Sequence, residues 1–142
     1  MNRICFEVLG IPVGKGRPRF YRRGKFMGTY TPDKTRNYEE NFLSQALKFK
    51  PEIPLESDLS VSLIFFFPIP ASFSKAKKIL ANSEMLFVSK KPDIDNLIKS
   101  VLDPLNGIFY NDDKQVVKVT AEKRYSMIPR IAVKIEEIKS EK

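Results

Sequence analysis

The longest apolar run of this chain, residues 63–70, constrains the fold more than any other feature of the sequence. Together with the residues before it, the run forms a β-compatible segment from Leu59 to Phe67, which predicts a strand buried on both faces. Pro68 and Pro70 close this strand because proline has no backbone N–H to donate to a sheet. The run is eight residues long, whereas a helix that crosses a bilayer needs roughly 20. We therefore expect a buried strand in a protein without a membrane span.

Shorter patterns predict the other elements. Alternating apolar residues predict strands at residues 3–9, 116–123 and 130–138. Helical spacing predicts a main helix over residues 33–50, with Thr31-Pro32 at its start, and Ser74 could cap a short helix. Residues 82–91 are polar, and we expect them to be weakly structured.

A second main helix is predicted to begin near residues 93–95 and to bury one apolar side. That side comprises Ile94, Leu97, Ile98, Val101, Leu102 and Leu105. Asn106-Gly107 is a suitable end for this helix. Pro104 should kink the last turn or bring its end forward, because it removes a backbone hydrogen bond and crowds the preceding turn.

Composition places these elements in one domain. With 142 residues, 42% of them hydrophobic, the chain can bury one ordinary core and is too short for two sizeable domains. The single cysteine, Cys5, excludes an internal disulfide and fits a reducing cytoplasm. Residues 1–11 contain Arg3 and Glu7 and lack the apolar stretch of a secretory signal. We expect one soluble, cytoplasmic domain over residues 1–142.

Positive charge is concentrated near the N-terminus. The net charge is +8, and residues 15–36 contain eight basic residues and one acidic residue. Four of the six glycines lie within residues 13–29, so we expect a basic loop or loose hairpin over residues 13–30. Aromatic residues among the bases favour nucleic acid over a merely solubilising surface. The candidate contacts to a nucleic-acid backbone are Lys15, Arg17, Arg19, Arg22, Arg23 and Lys25, which together would give a log–log salt slope of roughly −5.

Acidic residues are concentrated elsewhere, within residues 91–113. This segment contains five carboxylates, those of Asp93, Asp95, Asp103, Asp112 and Asp113. On a helix, Asp95, Lys99 and Asp103 fall on one solvent-facing line, and a helix start favours bound anions. Asp112 and Asp113 lie in the turn before a strand. A basic chain that gathers carboxylates in this way can hold a Mg²⁺ ion between protein and phosphate, with Lys99 assisting the reaction.

Simpler interpretations exist for each feature taken alone. The helix start could be ordinary capping with an Asp–Lys surface pair, and Asp112-Asp113 could be a solvated turn. The chain has no histidine, which excludes imidazole acid–base catalysis and Ser-His-Asp triads and leaves carboxylates, lysine and metal for phosphate chemistry. A tyrosine or serine nucleophile remains formally open. Only the basic and acidic segments together indicate a metal-dependent nuclease.

These residues also resemble a known family. Residues 92–99, Asp103, residues 105–107 and residues 112–117 are similar in type, order and spacing to the signature of the RusA-type Holliday junction resolvases. Residues 15–20, residues 30–32 and Tyr38-Glu39 extend the resemblance to the N-terminal half. Pro104 departs from the pattern, and residues 50–89 carry little of the resemblance.

The resemblance implies an α+β domain with a mixed β-sheet and two main helices, forming a homodimer that acts on a four-way DNA junction. It implies hydrolysis that depends on Mg²⁺ or Mn²⁺, in DNA recombination and repair, with nicks in opposed strands. By matching positions, it implies essential carboxylates at Asp93, Asp95 and Asp113 and an important lysine at Lys99, with less firm support for a role of Asp112 and Asp103.

Three alternatives remain open from the sequence. The first is a related nuclease that cuts flaps, forks or RNA. The second is a catalytically silent DNA-binding protein in which the acids are structural. The third, a divalent-ion sensor, is weak because the acids do not follow the Asp-x-Asp-x-Asp-Gly spacing.

Overall fold

A mixed four-stranded sheet organises the protein. The computed structural model describes residues 2–15, 19–23, 26–30 and 33–140. The sheet contains β1 (Arg3–Leu9), β4 (Asp58–Pro68), β5 (Val116–Ser126) and β6 (Arg130–Ile138), in the order β1-β6-β4-β5. β4 runs parallel to β5 and antiparallel to β6. The long apolar run therefore lies at the centre of a sheet, as its composition predicts.

The remaining elements surround this sheet. β2 (Arg19–Arg23) and β3 (Phe26–Tyr30) pair as an antiparallel hairpin, which agrees with the hairpin expected within residues 13–30. The helices are α1 (Asp33–Ala46), α2 (Lys75–Asn82) and α3 (Ile94–Leu105). The predicted start of α1 at Thr31-Pro32 lies outside the described residues. Short 3₁₀ turns cover Leu47–Phe49 and Asp113–Gln115.

The core lies between one face of the sheet and the helices. Alternate residues of β4 are buried, while α1 contributes Phe42 and Ala46 and α3 contributes Leu97 and Val101. Ser74 caps α2, because its side chain accepts a hydrogen bond from the amide of Lys77. The result is the expected α+β fold with two main helices. None of the described helices has the length and apolar character that a membrane span requires.

Two local expectations were wrong. Ile94 is 39% exposed, whereas Leu97, Val101 and Leu105 of the predicted side are buried as expected and Ser100 is buried with them. Residues 82–91 are also more ordered than their polar composition indicates. The amide of Val88 donates to Lys123, and Leu86 accepts from the amide of Tyr125. The physical reason is that β5 is an edge strand, whose free backbone groups need a partner.

Pro104 lies inside α3 without preventing the last turn. The helix continues to Leu105, and the amide of its C-cap residue, Asn106, bonds to the carbonyl of Asp103. The helix thus ends where Asn106-Gly107 predicts, and Gly107 adopts the positive φ of 82° that glycine tolerates. Asp103 is consequently held on a helical turn just before the chain turns towards β5.

Candidate active site

Two acidic residues begin α3. Asp93 is the N-cap residue, but its side chain makes no capping hydrogen bond, and Asp95 lies in the first turn. Both residues are exposed. The simple capping interpretation therefore does not account for Asp93. Its carboxylate remains available beside the unpaired amide groups of the helix start, where the helix dipole also favours a bound phosphate.

The exposed line along α3 agrees with the spacing in the sequence. Asp95, Lys99 and Asp103 are all exposed, whereas Leu97 and Val101 on the other side are completely buried. Eight residues of helix separate Asp95 from Asp103, which corresponds to about 12 Å along the axis. Lys99 lies between them, so one face of α3 presents negative, positive and negative charge in succession.

Asp112 and Asp113 form a second acidic pair at the entrance to β5. The side chain of Asp112 accepts from the amide of Lys114 at 3.0 Å, and this bond lowers the pKa of Asp112. The two carboxyl groups are hydrogen-bonded to each other, which raises the pKa of Asp113, and burial and the charges of Asp112 and Asp103 raise it further. Two neighbouring carboxyl groups repel each other when both are ionised, and a bound cation would relieve that repulsion.

Gln115 fixes this acidic turn. Its side chain accepts from the amide of Asp112 at 2.8 Å and donates to the carbonyls of Leu55 at 2.8 Å and Ser57 at 3.0 Å. The Asp112 and Gln115 side chains thereby form a reciprocal capping box around the 3₁₀ turn. The turn is tied to the segment before β4, so the position of the two carboxyl groups is determined by the sheet.

Asp103 connects α3 to this turn and to the N-terminal segment. Its charge acts on Asp113 and on Tyr110, whose pKa is raised mainly by burial. The carboxylate of Asp103 also lies 3.2 Å from the ammonium group of Lys15, which in turn lies 2.7 Å from Glu39 on α1. Asp103, Asp112 and Asp113 therefore belong to one charged neighbourhood that also includes Lys15 and Glu39.

The structure does not bring all the predicted ligands to one point. Within the described ranges, no three Asp, Glu or Cys side chains are close enough together to hold a metal ion. Asp93 and Asp95 begin α3, and Asp112 and Asp113 follow α3 in the chain, in the 3₁₀ turn before β5. The donor chemistry of the second pair nevertheless fits Mg²⁺, which is commonly bound through one or two carboxylates together with waters and substrate phosphates.

The structure describes the predicted DNA contacts to different extents. Arg17 and Lys25 lie outside the described residues, and Arg19, Arg22 and Arg23 belong to β2, whose backbone alone is described. Lys15 is engaged in ion pairs within the protein. The Lys15 amide also donates to the carbonyl of Asn96 at 3.0 Å. This hydrogen bond holds the start of the basic segment against the first turn of α3.

Sequence reasoning assigned no role to Glu39 or Gln115. Both lie inside the motifs that carry the family resemblance, but motif membership does not indicate a partner. Glu39 faces Lys15, and Gln115 binds the carbonyls of Leu55 and Ser57. The Leu55, Ser57 and Lys15 partners are distant in sequence, so only the pairing of Gln115 with Asp112 could have been predicted, from the three-residue spacing of a capping box.

Comparison with known proteins agrees with this architecture. The family model described as Endodeoxyribonuclease RusA matches residues 10–136. The chain belongs to the RusA endodeoxyribonuclease family. It is 36% identical over 140 residues to a Bacillus subtilis (strain 168) protein named "Uncharacterized protein YqaN", covering 97% of this chain and 99% of the relative.

A second relative carries a functional name. The chain is 32% identical over 133 residues to "Crossover junction endodeoxyribonuclease rusA" of Lactococcus phage r1t, covering 91% of this chain and 86% of the relative. RusA membership confirms the resemblance and the α+β fold. It indicates a nuclease that hydrolyses DNA, and it supports an activity that resolves Holliday junctions.

Proposed function

We propose that this RusA-family protein is a structure-selective endonuclease that resolves four-way DNA junctions by hydrolysis dependent on Mg²⁺ or Mn²⁺. The observation that carries the proposal is that the N-terminal segment docks on α3 where the acidic residues begin. The amide of Lys15 bonds to the carbonyl of Asn96, and Asp93 and Asp95 lie one to three residues before that position in the sequence. The basic segment thus begins beside the helix start that contains Asp95 and Asp93, and the side chain of Asp93 makes no capping hydrogen bond.

The proposed roles follow from charge and position. Asp112 and Asp113 are a pair of oxygen donors for a divalent ion, and Asp93 and Asp95 are the further carboxylates of the site. A bound divalent ion would neutralise charge on the scissile phosphate and lower the pKa of a water molecule. Lys99 lies between Asp95 and Asp103 on the exposed face of α3, where its ammonium group can stabilise negative charge that develops on the phosphate.

DNA binding is assigned to the basic hairpin and its neighbours. We propose Arg17, Arg19, Arg22, Arg23 and Lys25 as the contacts to phosphate, with Lys15 set apart because it is paired inside the protein. Five phosphate contacts give a log–log salt slope of about −4.5. A nearly flat salt dependence would remove the hairpin from this proposal.

We also propose that the protein acts as a homodimer. Symmetric cutting of two opposed strands requires two active sites related by a two-fold axis, and the described residues of one chain supply a single set of carboxylates. Sedimentation of the protein with and without a junction measures this directly. A protein that remains monomeric on the junction would contradict paired incision.

The decisive experiment is cleavage of a labelled four-way junction and of a linear duplex of the same sequence, with and without Mg²⁺. We expect symmetric nicks in the junction only. Asp95→Asn should retain or improve binding while abolishing cleavage, since it removes a metal ligand and a repulsive charge together. Glu52→Gln, which neutralises an exposed carboxylate in the loop before β4, is the matched control and should cut normally.

Other outcomes favour the other functions. Cleavage of flaps, forks or RNA without paired nicks in the junction would indicate a related nuclease of different substrate selectivity. Binding without cleavage under Mg²⁺ or Mn²⁺ would indicate a DNA-binding protein in which the carboxylates have a structural role only.

A further inference from the structure

Lys15 joins three parts of the protein through one ammonium group. Its Nζ atom lies 2.7 Å from Oε1 of Glu39 on α1 and 3.2 Å from Oδ2 of Asp103 on α3. The side chains of Lys15 and Glu39 are 29% and 28% exposed. Burial opposes the charge, but the hydrogen bonds with Glu39 and Asp103 raise the pKa of Lys15 above its ordinary value. Lys15 therefore remains charged and held in place.

The backbone around Lys15 is held as firmly as its side chain. The Lys15 amide donates to the carbonyl of Asn96 at 3.0 Å. A Cβ atom placed on Gly14 would lie 2.9 Å from Cβ of Pro92 and 3.3 Å from Cβ of Asn96. Real side chains do not accept the shorter contact, so only glycine lets the segment lie this close to α3. The backbone from which the Lys15 side chain extends is therefore held in place against α3.

The position of Lys15 has an electrostatic consequence for the acidic turn. The negative charge of Asp103 acts on Asp113, which already shares a hydrogen bond with Asp112. Lys15 offsets part of the charge of Asp103, so it lowers the total negative charge around the Asp112–Asp113 pair. A lysine that bound a DNA phosphate would have to leave both Glu39 and Asp103 without their partner.

We propose that Lys15 is a positioning residue of the nuclease site, which fixes Asp103 against Glu39 and limits how strongly a divalent cation is attracted to Asp112 and Asp113. This inference rests on the proposed function. It sets Lys15 apart from the other basic residues of residues 15–36, because its partners are carboxylates of the protein and not phosphates of DNA.

The test measures Mn²⁺ binding to the DNA-free protein by electron paramagnetic resonance, comparing wild type with Lys15→Gln. Removing a positive charge near the carboxylates should tighten Mn²⁺ binding by about three- to tenfold at low ionic strength. Lys15→Arg retains the charge and should bind within about twofold of wild type. Lys48→Gln removes an exposed lysine that follows α1 and should leave Mn²⁺ binding unchanged.

Junction cleavage by the same variants gives a second readout. For Lys15→Gln we expect kcat to fall by about tenfold or more because Asp103 is no longer fixed, while KM stays within about twofold. Lys15→Arg should recover most of kcat. The salt slope of junction binding should remain that of wild type, because no phosphate contact is lost.

Three results would overturn the inference. One is Mn²⁺ affinity that is unchanged or weaker in Lys15→Gln, as expected for a purely structural role. Another is a salt slope shallower by about 0.9, as expected when one phosphate contact is lost. A third is failure of Lys15→Arg to recover wild-type Mn²⁺ affinity. If wild type cuts no junction but Lys15→Gln still binds Mn²⁺ more tightly, the proposed function fails while the charge effect of Lys15 stands.

Discussion

The hydrogen bonds of Gln115 make its replacement the most quantitative test of how the acidic turn is held. Gln115→Ala removes one bond from the amide of Asp112 and two bonds to the carbonyls of Leu55 and Ser57, all of them partly buried. Each such bond contributes about 1 kcal/mol net, and the groups left unpaired add a desolvation cost, so the free energy of unfolding should fall by about 2–4 kcal/mol. That loss is smaller than the total stability of about 5–15 kcal/mol typical of a domain, so the variant should still fold.

Urea unfolding followed by circular dichroism measures this loss. With an m value of about 2 kcal/mol/M, the midpoint should fall by about 1–2 M without a change in slope. Gln45→Ala is the matched control, because Gln45 makes two hydrogen bonds to the backbone of Leu9, at 2.8 Å and 2.9 Å, in an exposed position. Water replaces exposed bonds, so this control should cost less than about 1 kcal/mol.

The two variants together can refute the reasoning. If Gln115→Ala costs no more than Gln45→Ala, the three bonds of Gln115 do not hold the turn before β5. If instead the loss is as expected, Mn²⁺ binding by Gln115→Ala should also weaken, because Asp112 and Asp113 are then no longer held together by the capping box.

Two further predictions concern pH. Burial raises the pKa of Tyr38 to about 12, so the neutral phenol stabilises the folded state below pH 10, and about 2–3 kcal/mol is lost as the pH rises from 10 to 12. Tyr38→Phe keeps the ring and removes the titrating hydroxyl, so urea unfolding should show a smaller loss of stability between pH 10 and pH 12 than in wild type, and an equal loss would contradict this. Hydrogen bonds from Ser126 and Arg130 lower the pKa of Glu84, so its contribution is present above about pH 4.5 and is lost as the pH falls further. The melting temperature of Glu84→Gln should lie below that of wild type at pH 7 and approach it at pH 3, and an equal gap at both pH values would disprove the role of this carboxylate.

Local patterns in the sequence were sufficient for the elements of the fold. The apolar run of β4, the start of α3 at Asp93 and the end of α3 at Asn106-Gly107 were all predicted correctly. Each depends on interactions between residues close in sequence: side-chain periodicity, helix capping and the missing N–H of proline. The family could also be named from its motif, since type and spacing of the acidic residues are properties of the chain alone.

Only the tertiary structure determined which of these residues are neighbours. The order β1-β6-β4-β5 leaves β5 at an edge, which is why residues 82–91 are ordered against it. The same packing turns Ile94 outward and brings Glu39 to Lys15. Among the described residues it also places no three acidic side chains close enough together to hold a metal ion, although one motif contains Asp95, Asp112 and Asp113. Spacing along the chain determines the direction of a side chain within its own helix or strand, whereas its partners across the core depend on how those elements pack.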